Sequence, residues 1–465
     1  MQCPARWRRL ARRHLLIAAM VLGGCASYGP KPLPTQPDLA VVAPGAAPHA
    51  PAAAGGGAAE LARGLDMNDI ATAAVLRNPD LKLARDAAGL AQAQAFAAGL
   101  LPDPQLSLTR DFPSNGGPAN VSAFNLGLGY DITALLVRPA LSAAAQAQER
   151  QARLDLLWQE WQVISRARTL FVTLVAQQQL AGVLESERVL LATQYERSLA
   201  AQRQGNMTQT AAMQQLAALQ DIGRRVNETQ RQIEKSRQDL NALLGLAPDV
   251  RLELKGDGSL RPITPAAVQA ALHRLPQCRP DLLALQAGYQ GQEERLRGAI
   301  LAQFPSLSIG ITRARDTSNL YSSGFGITIN LPIFNRNRGA IAVQTATRQQ
   351  LYDAYQNRLN AAHGDTQRLL ADRALLQQQL VQVRRGVSGL EQALQLAQPA
   401  FDAGNLDLLS YGALRTALLN KRAEALALSQ SVAEADVALQ TLVGCGGAAA
   451  STQSPQSSQS AETTP

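Results

Sequence analysis

Two segments of the chain alternate bulky apolar residues with small or polar residues. In residues 324–334, GFGITINLPIF, phenylalanine, isoleucine and leucine alternate with glycine, threonine and asparagine. Residues 124–132, FNLGLGYDI, repeat this arrangement. A period of two is typical of β-strands. A strand with one face in water usually carries charged residues there, so these strands raise the question of what each face contacts.

The two strands belong to a longer tandem repeat with an offset of roughly 200 residues. Such an internal repeat indicates a fold built from repeated units. Five pairs of segments occur in the same order in both halves: NPDL at Asn78 and RPDL at Arg279, LPDPQLSL at Leu101 and FPSLSIGI at Phe304, RPA at Arg138 and RGA at Arg338, RQGNMTQT at Arg203 and DAGNLDLL at Asp402, and LLGL at Leu243 and LVGC at Leu442. The chain therefore contains two versions of one unit.

Each half predicts a helix, two strands, a long helix and a further helix. The predicted ranges are 66–99, 105–112, 121–131, 139–204 and 207–245 in the first half, and 279–303, 306–315, 321–331, 338–403 and 406–443 in the second. Gly205 and Gly404 follow the long helices and fit the left-handed position after a helix C-terminus. We therefore predict a hairpin turn at each glycine.

The long helices need packing partners along their length. A helix of 66 residues extends about 100 Å at 1.5 Å per residue, which is far beyond an ordinary globular helix. The two shorter helices of each half nearly match that length if they stack end to end beside it. Leu157, Ile164 and Phe171 recur every seven residues, as in a coiled coil. The sequence thus favours long antiparallel helical hairpins.

The N-terminus has the features of an export signal. Five arginines precede the apolar run HLLIAAMVLGGC, which is too short for a transmembrane helix. LGGC, ending at Cys25, resembles the lipobox of bacterial lipoproteins, in which the cysteine is acylated; the alternative is a buried thiol in an uncleaved helix. The predicted segments are a signal peptide (1–24), a Pro/Ala/Gly-rich tether (25–65), a first repeat (66–250), a connector (251–278), a second repeat (279–445) and a disordered tail (446–465).

Charge gives no indication of a nucleic-acid partner. The formal net charge of the whole chain is +8, from 44 basic and 36 acidic residues. Five of the basic residues lie in the signal segment, so the remainder carries only +3. No cluster of basic and aromatic residues of the kind that binds phosphate backbones is present in the sequence.

The strands fit a membrane barrel, whose outside contacts lipid and whose inside contacts water. A strand pair in a soluble sandwich is the alternative. Four strands cannot close a barrel, because even small transmembrane barrels have about eight. The remaining strands must come from other copies of the chain. In this interpretation the loops 113–120 and 316–321 are the hairpin tips outside the cell.

Over about residues 66–445 the chain resembles the TolC family of outer-membrane efflux proteins. The resemblance rests on the tandem repeat, the NPDL and RPDL motifs, the proline-flanked strands and the two turn glycines; LPIFNRNRGAI, residues 331–341, resembles the heavy-metal exporter branch. It implies a mostly helical homotrimer with a helical barrel in the periplasm and a twelve-stranded transmembrane β-barrel in outer-membrane lipid. It also implies docking to a periplasmic adaptor and an inner-membrane pump.

The resemblance also implies a gate at the periplasmic tip of the second hairpin, formed by apolar and acidic rings five to nine residues after the turn glycine. Leu409 occupies the apolar position. Ser410 and Ala413 occupy places where acidic residues are often found, which is a departure from the family pattern. Asp402 and Asp407 flank the turn and could form the acidic ring instead. The alternative is that both aspartates only begin and end solvated helices.

The sequence predicts no enzyme, cofactor or metal site. It contains no glycine-rich phosphate loop, no HExxH and no GxSxG motif.

Cys278 and Cys445 lie at predicted helix ends that the stacking of the helices places midway along the rod, and an oxidising periplasm would permit a disulfide between them. Two separate buried thiols are the alternative.

The sequence as a whole favours an outer-membrane lipoprotein channel that passes small molecules or metal ions from the periplasm to the exterior. Two alternatives stay open. One is a type I protein-secretion duct of the same family, and the other is a periplasmic coiled-coil scaffold lipoprotein without a channel.

Overall fold

The computed structural model describes residues 28–40, 64–114 and 120–444. The chain divides into two units, one ending at Ala40 and one beginning at Val41. Residues 28–39 of the first unit are exposed and contain no helix. Every element described below belongs to the second unit. The predicted signal peptide, most of the tether and the C-terminal tail lie outside the described residues.

The first half contains four helices and two strands. They are α1 (Met67–Arg77), α2 (Pro79–Gly99), β1 (Gln105–Asp111), β2 (Ala123–Asp131), α3 (Ile132–Arg203) and α4 (Gln209–Leu243). The prediction of one continuous helix over 66–99 is wrong, because the chain leaves helical geometry at Asn78. Asn78 precedes proline, which disfavours the helical region, and its side chain caps α2 by accepting a hydrogen bond from Leu81 N at 2.9 Å.

The second half repeats this order after two short connecting helices. Its elements are α5 (Pro265–Leu272), α6 (Leu275–Cys278), α7 (Pro280–Leu301), β3 (Ser306–Arg315), β4 (Tyr321–Asn330), α8 (Arg338–Asp402) and α9 (Leu408–Val443). Strand β3 has the predicted bounds, and β4 ends one residue earlier than predicted. The tandem repeat expected from the sequence is therefore present in the fold.

The long helix α3 begins earlier than predicted. Its 72 residues correspond to roughly 110 Å, and it starts at Ile132 rather than at residue 139. The Asp131 carboxylate accepts a hydrogen bond from Ala134 N at 3.1 Å and so caps the helix directly after β2. Pro139 consequently lies inside the helix, where it lacks the amide hydrogen that would bond to Leu135.

The shorter helices pack beside the long ones, as the sequence predicts. Helices α1, α2 and α4 all contact α3, and α7 and α9 contact α8. Asn78 Nδ2 donates to the Leu243 carbonyl at 2.9 Å, which ties the end of α4 to the junction between α1 and α2. Leu184 of α3, Ile222 of α4 and Leu419 of α9 share one apolar cluster. Neither hairpin therefore depends on its own two helices alone.

The four strands form one antiparallel sheet in the order β1-β2-β3-β4. Leu106 pairs with Leu128, Leu128 with Ile311, and Ile311 with Phe325, so one row of apolar residues crosses all four strands. Strands β1 and β4 each have one edge without a partner strand in this sheet.

Candidate functional site

The sheet has two chemically distinct faces, because directly paired residues lie on the same face and the faces alternate along each strand. One face is built from bulky apolar residues together with a few arginines, and the other from small or polar residues. The apolar positions of the first face are Leu106, Leu108, Phe124, Leu126, Leu128, Tyr130, Leu307, Ile309, Ile311, Tyr321, Phe325, Ile327 and Ile329. The opposite face includes Ser107, Thr109, Asn125, Gly127, Gly129, Ser308, Gly310, Thr312, Gly324, Gly326 and Thr328.

The apolar face is largely uncovered by the rest of the chain. Leu106 is 72% exposed and Phe325 is 66% exposed. A continuous apolar surface of this kind is normally covered by a partner or by lipid. The opposite face carries glycine, serine and threonine, which suit a wall in contact with water. The sheet can thus separate an apolar medium from an aqueous one.

The two hairpin turns have the same backbone geometry. Gly205 and Gly404 both have a φ of +76°, in the left-handed region that glycine adopts without a steric penalty. The amide of the residue after each glycine donates back into the preceding helix, Asn206 to Ala201 at 2.9 Å and Asn405 to Ala400 at 2.8 Å. This bonding closes the end of each long helix in a Schellman-type turn.

The helix after each turn is capped by a residue at the same place in the repeat. Thr208 caps α4 by accepting from Ala211 N at 3.3 Å, and Asp407 caps α9 by accepting from Ser410 N at 2.9 Å. The Ser410 hydroxyl also donates to Asp407 at 2.6 Å. These hydrogen bonds hold the pKa of Asp407 below its ordinary value. Their stabilisation is present at neutral pH and is lost only as the pH falls through that lowered pKa.

The three gate residues predicted from the sequence lie together at the tip of the second hairpin. Leu409 is 67% exposed on the first turn of α9. The Asp402 carboxylate, at the end of α8, accepts from Gln398 Nε2 at 3.0 and 3.1 Å. The capping role of Asp407 is the structural alternative to a gate role. The gate role of Leu409, Asp402 and Asp407 stays a prediction.

The second tip contains a stacked aromatic pair that was not predicted from the sequence. Tyr411 is 2% exposed and stacks on Phe401 with ring centroids 4.4 Å apart. The Tyr411 hydroxyl donates to Gln398 Oε1, and Gln398 in turn holds Asp402. These contacts link the end of α8 to the start of α9 across the turn at Gly404. No motif indicates them, because they depend on how α8 and α9 face each other.

A buried charged cluster is centred on the RPDL motif of the second half. Arg279 is 2% exposed and makes two hydrogen bonds to Asp281, at 2.8 and 3.1 Å. Arg358 of α8 contacts the same carboxylate at 2.6 Å. Both guanidinium groups lie over the ring of Trp158, 4.8 and 5.6 Å from its centroid. Burial, and then the charge of Asp281, raises the pKa of the neighbouring Asp155.

The remaining predicted site residues are three cysteines, and the structure describes only one of them. Cys25 and Cys445 fall outside the described residues, and Cys278 is half-buried at the end of α6. Acylation at Cys25 and a bond between Cys278 and Cys445 therefore stay predictions. Among the described residues, no three histidine, cysteine or acidic side chains form a group that could hold a metal ion.

No helix in the described ranges combines the length and the apolar composition that crossing a membrane requires.

The second half of the chain matches a known protein family. Residues 271–445 match the family described as "Outer membrane efflux protein". The "Cation efflux system protein CusC" of Escherichia coli strain K12 is 26% identical over 178 residues, which cover 36% of this chain. The match spans only 39% of the length of that relative.

Solved structures match a larger part of the chain. A solved structure of CusC superposes with a TM-score of 0.71 and 19% identity, covering 89% of this chain and 99% of that chain. The CmeC outer membrane channel of Campylobacter jejuni gives a TM-score of 0.70 and 20% identity, covering 81% and 85%. Residues 271–445 thus match the outer membrane efflux protein family, and most of the chain shares the fold of the CusC and CmeC structures.

Proposed function

We propose that this protein is the outer-membrane exit channel of a tripartite efflux pump and passes small molecules or metal ions from the periplasm to the exterior. The observation that carries the proposal is the open four-stranded sheet, with one continuous apolar face and one face of small and polar residues. A channel has no reaction to catalyse and needs no cofactor. Metal ions are included as cargo because the matched relative is named for cation efflux.

The open sheet is the reason to expect three copies. Twelve strands give a barrel wider than the eight-stranded kind, whose interior is just filled by side chains, so a water-filled passage remains. Glycine, serine and threonine on the inner face widen that passage further. Helices α3 and α8, each on the order of 100 Å long, would continue the duct through the periplasm as a helical barrel. An adaptor and an inner-membrane pump would then dock at the hairpin tips.

The segment boundaries predicted from the sequence complete this proposal. Residues 1–24 would direct export, Cys25 would carry the lipid anchor, and residues 25–65 would link that anchor to the first repeat. The repeats 66–250 and 279–445, joined by residues 251–278, would form the channel itself. The tail 446–465 has no role in it.

Reconstituted full-length protein is expected to run as a trimer and to conduct ions. The measurements are native mass spectrometry in detergent and single-channel recording in planar bilayers. Stable conductance steps and a mass of three chains support the channel. A monomer without conductance would contradict it and would favour the coiled-coil scaffold lipoprotein. Transport of a protein substrate in place of small molecules would favour the type I secretion duct.

The gate proposal assigns the constriction to Leu409 and the acidic ring to Asp402 and Asp407. Leu409→Ala is expected to raise single-channel conductance, because it removes an exposed apolar side chain from the tip. Thr210 occupies the same place after Gly205, so Thr210→Ala is the matched control and is expected to leave conductance unchanged. Equal effects of both substitutions would contradict the assignment to the second hairpin.

The role of Asp407 is tested by Asp407→Thr. Threonine keeps the cap, as Thr208 shows in the first hairpin, but removes the negative charge. If Asp407 contributes to an acidic ring, the variant is expected to lose cation selectivity, measured as a shift of the reversal potential in a salt gradient. An unchanged reversal potential would leave Asp407 with its capping role alone.

A further inference from the structure

Cationic and aromatic residues alternate across the sheet near the loops that connect its paired strands. Arg110 of β1 pairs with Phe124 of β2, Phe124 with Arg315 of β3, and Arg315 with Tyr321 of β4. We call these four residues the rim row. All four lie on the apolar face. Arg313 lies two residues from Arg315 on β3 and therefore on the same face.

Three members of the rim row, Phe124, Arg315 and Tyr321, contact one another. The Arg315 guanidinium lies 5.6 Å from the Phe124 ring centroid and 6.0 Å from that of Tyr321. The two rings meet edge to face with centroids 6.3 Å apart. Arg315 also donates to the Ser122 carbonyl at 2.7 Å. Arg315 is thus held in place, and its Nε is buried without a hydrogen-bond partner among the described residues.

The positive charge of this region is not neutralised by nearby acidic residues. None of the ion pairs between described residues includes Arg110, Arg313 or Arg315. Asp111 lies on the opposite face of β1, since its neighbour Arg110 faces the apolar side. The Asp316 carboxylate accepts from the amides of Ser318 and Leu320 within its own turn. Residues 115–119 include no acidic residue.

The rim row lies at the border of the apolar face. Phe124 is four residues from Leu128 on β2, about 13 Å along the strand, and Leu128 belongs to the fully apolar row that ends at Phe325. Arginine and aromatic residues at such a border match the interface of a bilayer, where the rings and alkyl stems stay in apolar surroundings and the charges reach the headgroups.

We propose that Arg110, Arg313 and Arg315 bind the phosphate groups of anionic lipids in the leaflet next to the β1–β2 and β3–β4 loops. Guanidinium groups bind phosphate oxygens through paired hydrogen bonds. The adjacent apolar rows give the acyl chains of the same lipid a surface to contact. The open face offers no enclosure for a free phosphate ion, so a lipid is the occupant. The proposal depends on the proposed function only in that the sheet must face a bilayer.

The test uses full-length protein in detergent, titrated with phosphatidylglycerol or with zwitterionic phosphatidylcholine and followed by native mass spectrometry. The unaltered protein is expected to bind phosphatidylglycerol more tightly. The double variant Arg110→Gln, Arg313→Gln is expected to lower that affinity about five-fold per arginine, or roughly 25-fold, without changing binding of phosphatidylcholine. Arg315 is retained because it also binds the Ser122 main chain.

Three controls separate lipid binding from a structural role. Arg224→Gln, Arg231→Gln removes two exposed arginines from α4 and is expected to keep the lipid affinity. The double variant Arg110→Lys, Arg313→Lys keeps the positive charge and is expected to keep most of the affinity for phosphatidylglycerol. Potassium phosphate is expected to displace no more lipid than potassium chloride of equal ionic strength.

Equal losses in the glutamine and lysine variants, equal binding of both lipids, or selective displacement by phosphate would each overturn the proposal. Conductance of the same preparations reports on the channel separately. If the unaltered protein did not conduct ions, the channel proposal would fail, while the lipid titration would still decide the lipid proposal.

Discussion

Replacing Ile311 by arginine is expected to prevent stable insertion into a membrane. Ile311 lies in the middle of the apolar face, paired with Leu128 and Phe325, and is 58% exposed in the single chain. An arginine at the bilayer midplane costs about 2–4 kcal/mol, and three copies would together lose roughly 6–12 kcal/mol. The measurement is the fraction of protein that inserts as a trimer into liposomes.

The neighbouring residue provides the matched control. Thr312 faces the opposite side and pairs with Gly127 and Gly324, which leave room for a long side chain. Thr312→Arg is expected to insert like the unaltered protein and to shift ion selectivity towards anions. If both variants insert equally well, the apolar face does not contact lipid and the channel proposal fails.

Removing the carboxylate of Asp281 is expected to be strongly destabilising. Asp281→Leu leaves the buried Arg279 without its anionic partner, and breaking a buried ion pair by removal of one partner typically costs about 3–5 kcal/mol. The midpoint of thermal unfolding, followed by circular dichroism in detergent, is expected to fall. The double variant Arg279→Met, Asp281→Leu is expected to recover much of that loss, because the fully buried guanidinium is removed together with its partner, while Arg358, which also loses its contact with Asp281, is 39% exposed.

The repeat offers a control at the equivalent position. Asp80 of NPDL corresponds to Asp281 of RPDL, but it is exposed in the first turn of α2. Asp80→Leu loses only the favourable interaction of a carboxylate with a helix N-terminus, about 0.3–1 kcal/mol. If Asp80→Leu and Asp281→Leu lost a similar amount of stability, the buried ion pair of Asp281 would not make the expected contribution to the free energy of unfolding.

The repeated elements could be predicted closely because each depends on local signals. A period of two with glycine on one face defines β3 and β4, and Gly205 and Gly404 mark the turns through their backbone geometry. The two misplaced helix starts also had local signals. Asn78 before proline breaks the first helix, and Asp131 begins the long one. Capping residues therefore fix helix ends more reliably than proline alone.

The contacts inside the candidate site could not be predicted in the same way. Asp80 and Asp281 occupy equivalent motifs, yet only Asp281 is buried in a charged cluster over Trp158. The difference arises from α3 and α8, which bring Trp158 and Arg358 to the second motif. A helix presents its side chains according to its rotation against its neighbours, and sequence spacing within one helix does not specify that rotation.

The number of strands in the sheet sets the direction in which copies can join. With four antiparallel strands, β1 and β4 run in opposite directions, so the free edge of β4 in one copy can meet β1 of a second copy in antiparallel pairing while both copies point the same way. The two edges are different surfaces, so this contact is head-to-tail and can close as a ring, in contrast to the self-complementary contact of a two-fold dimer. An odd number of strands would have made every such seam parallel.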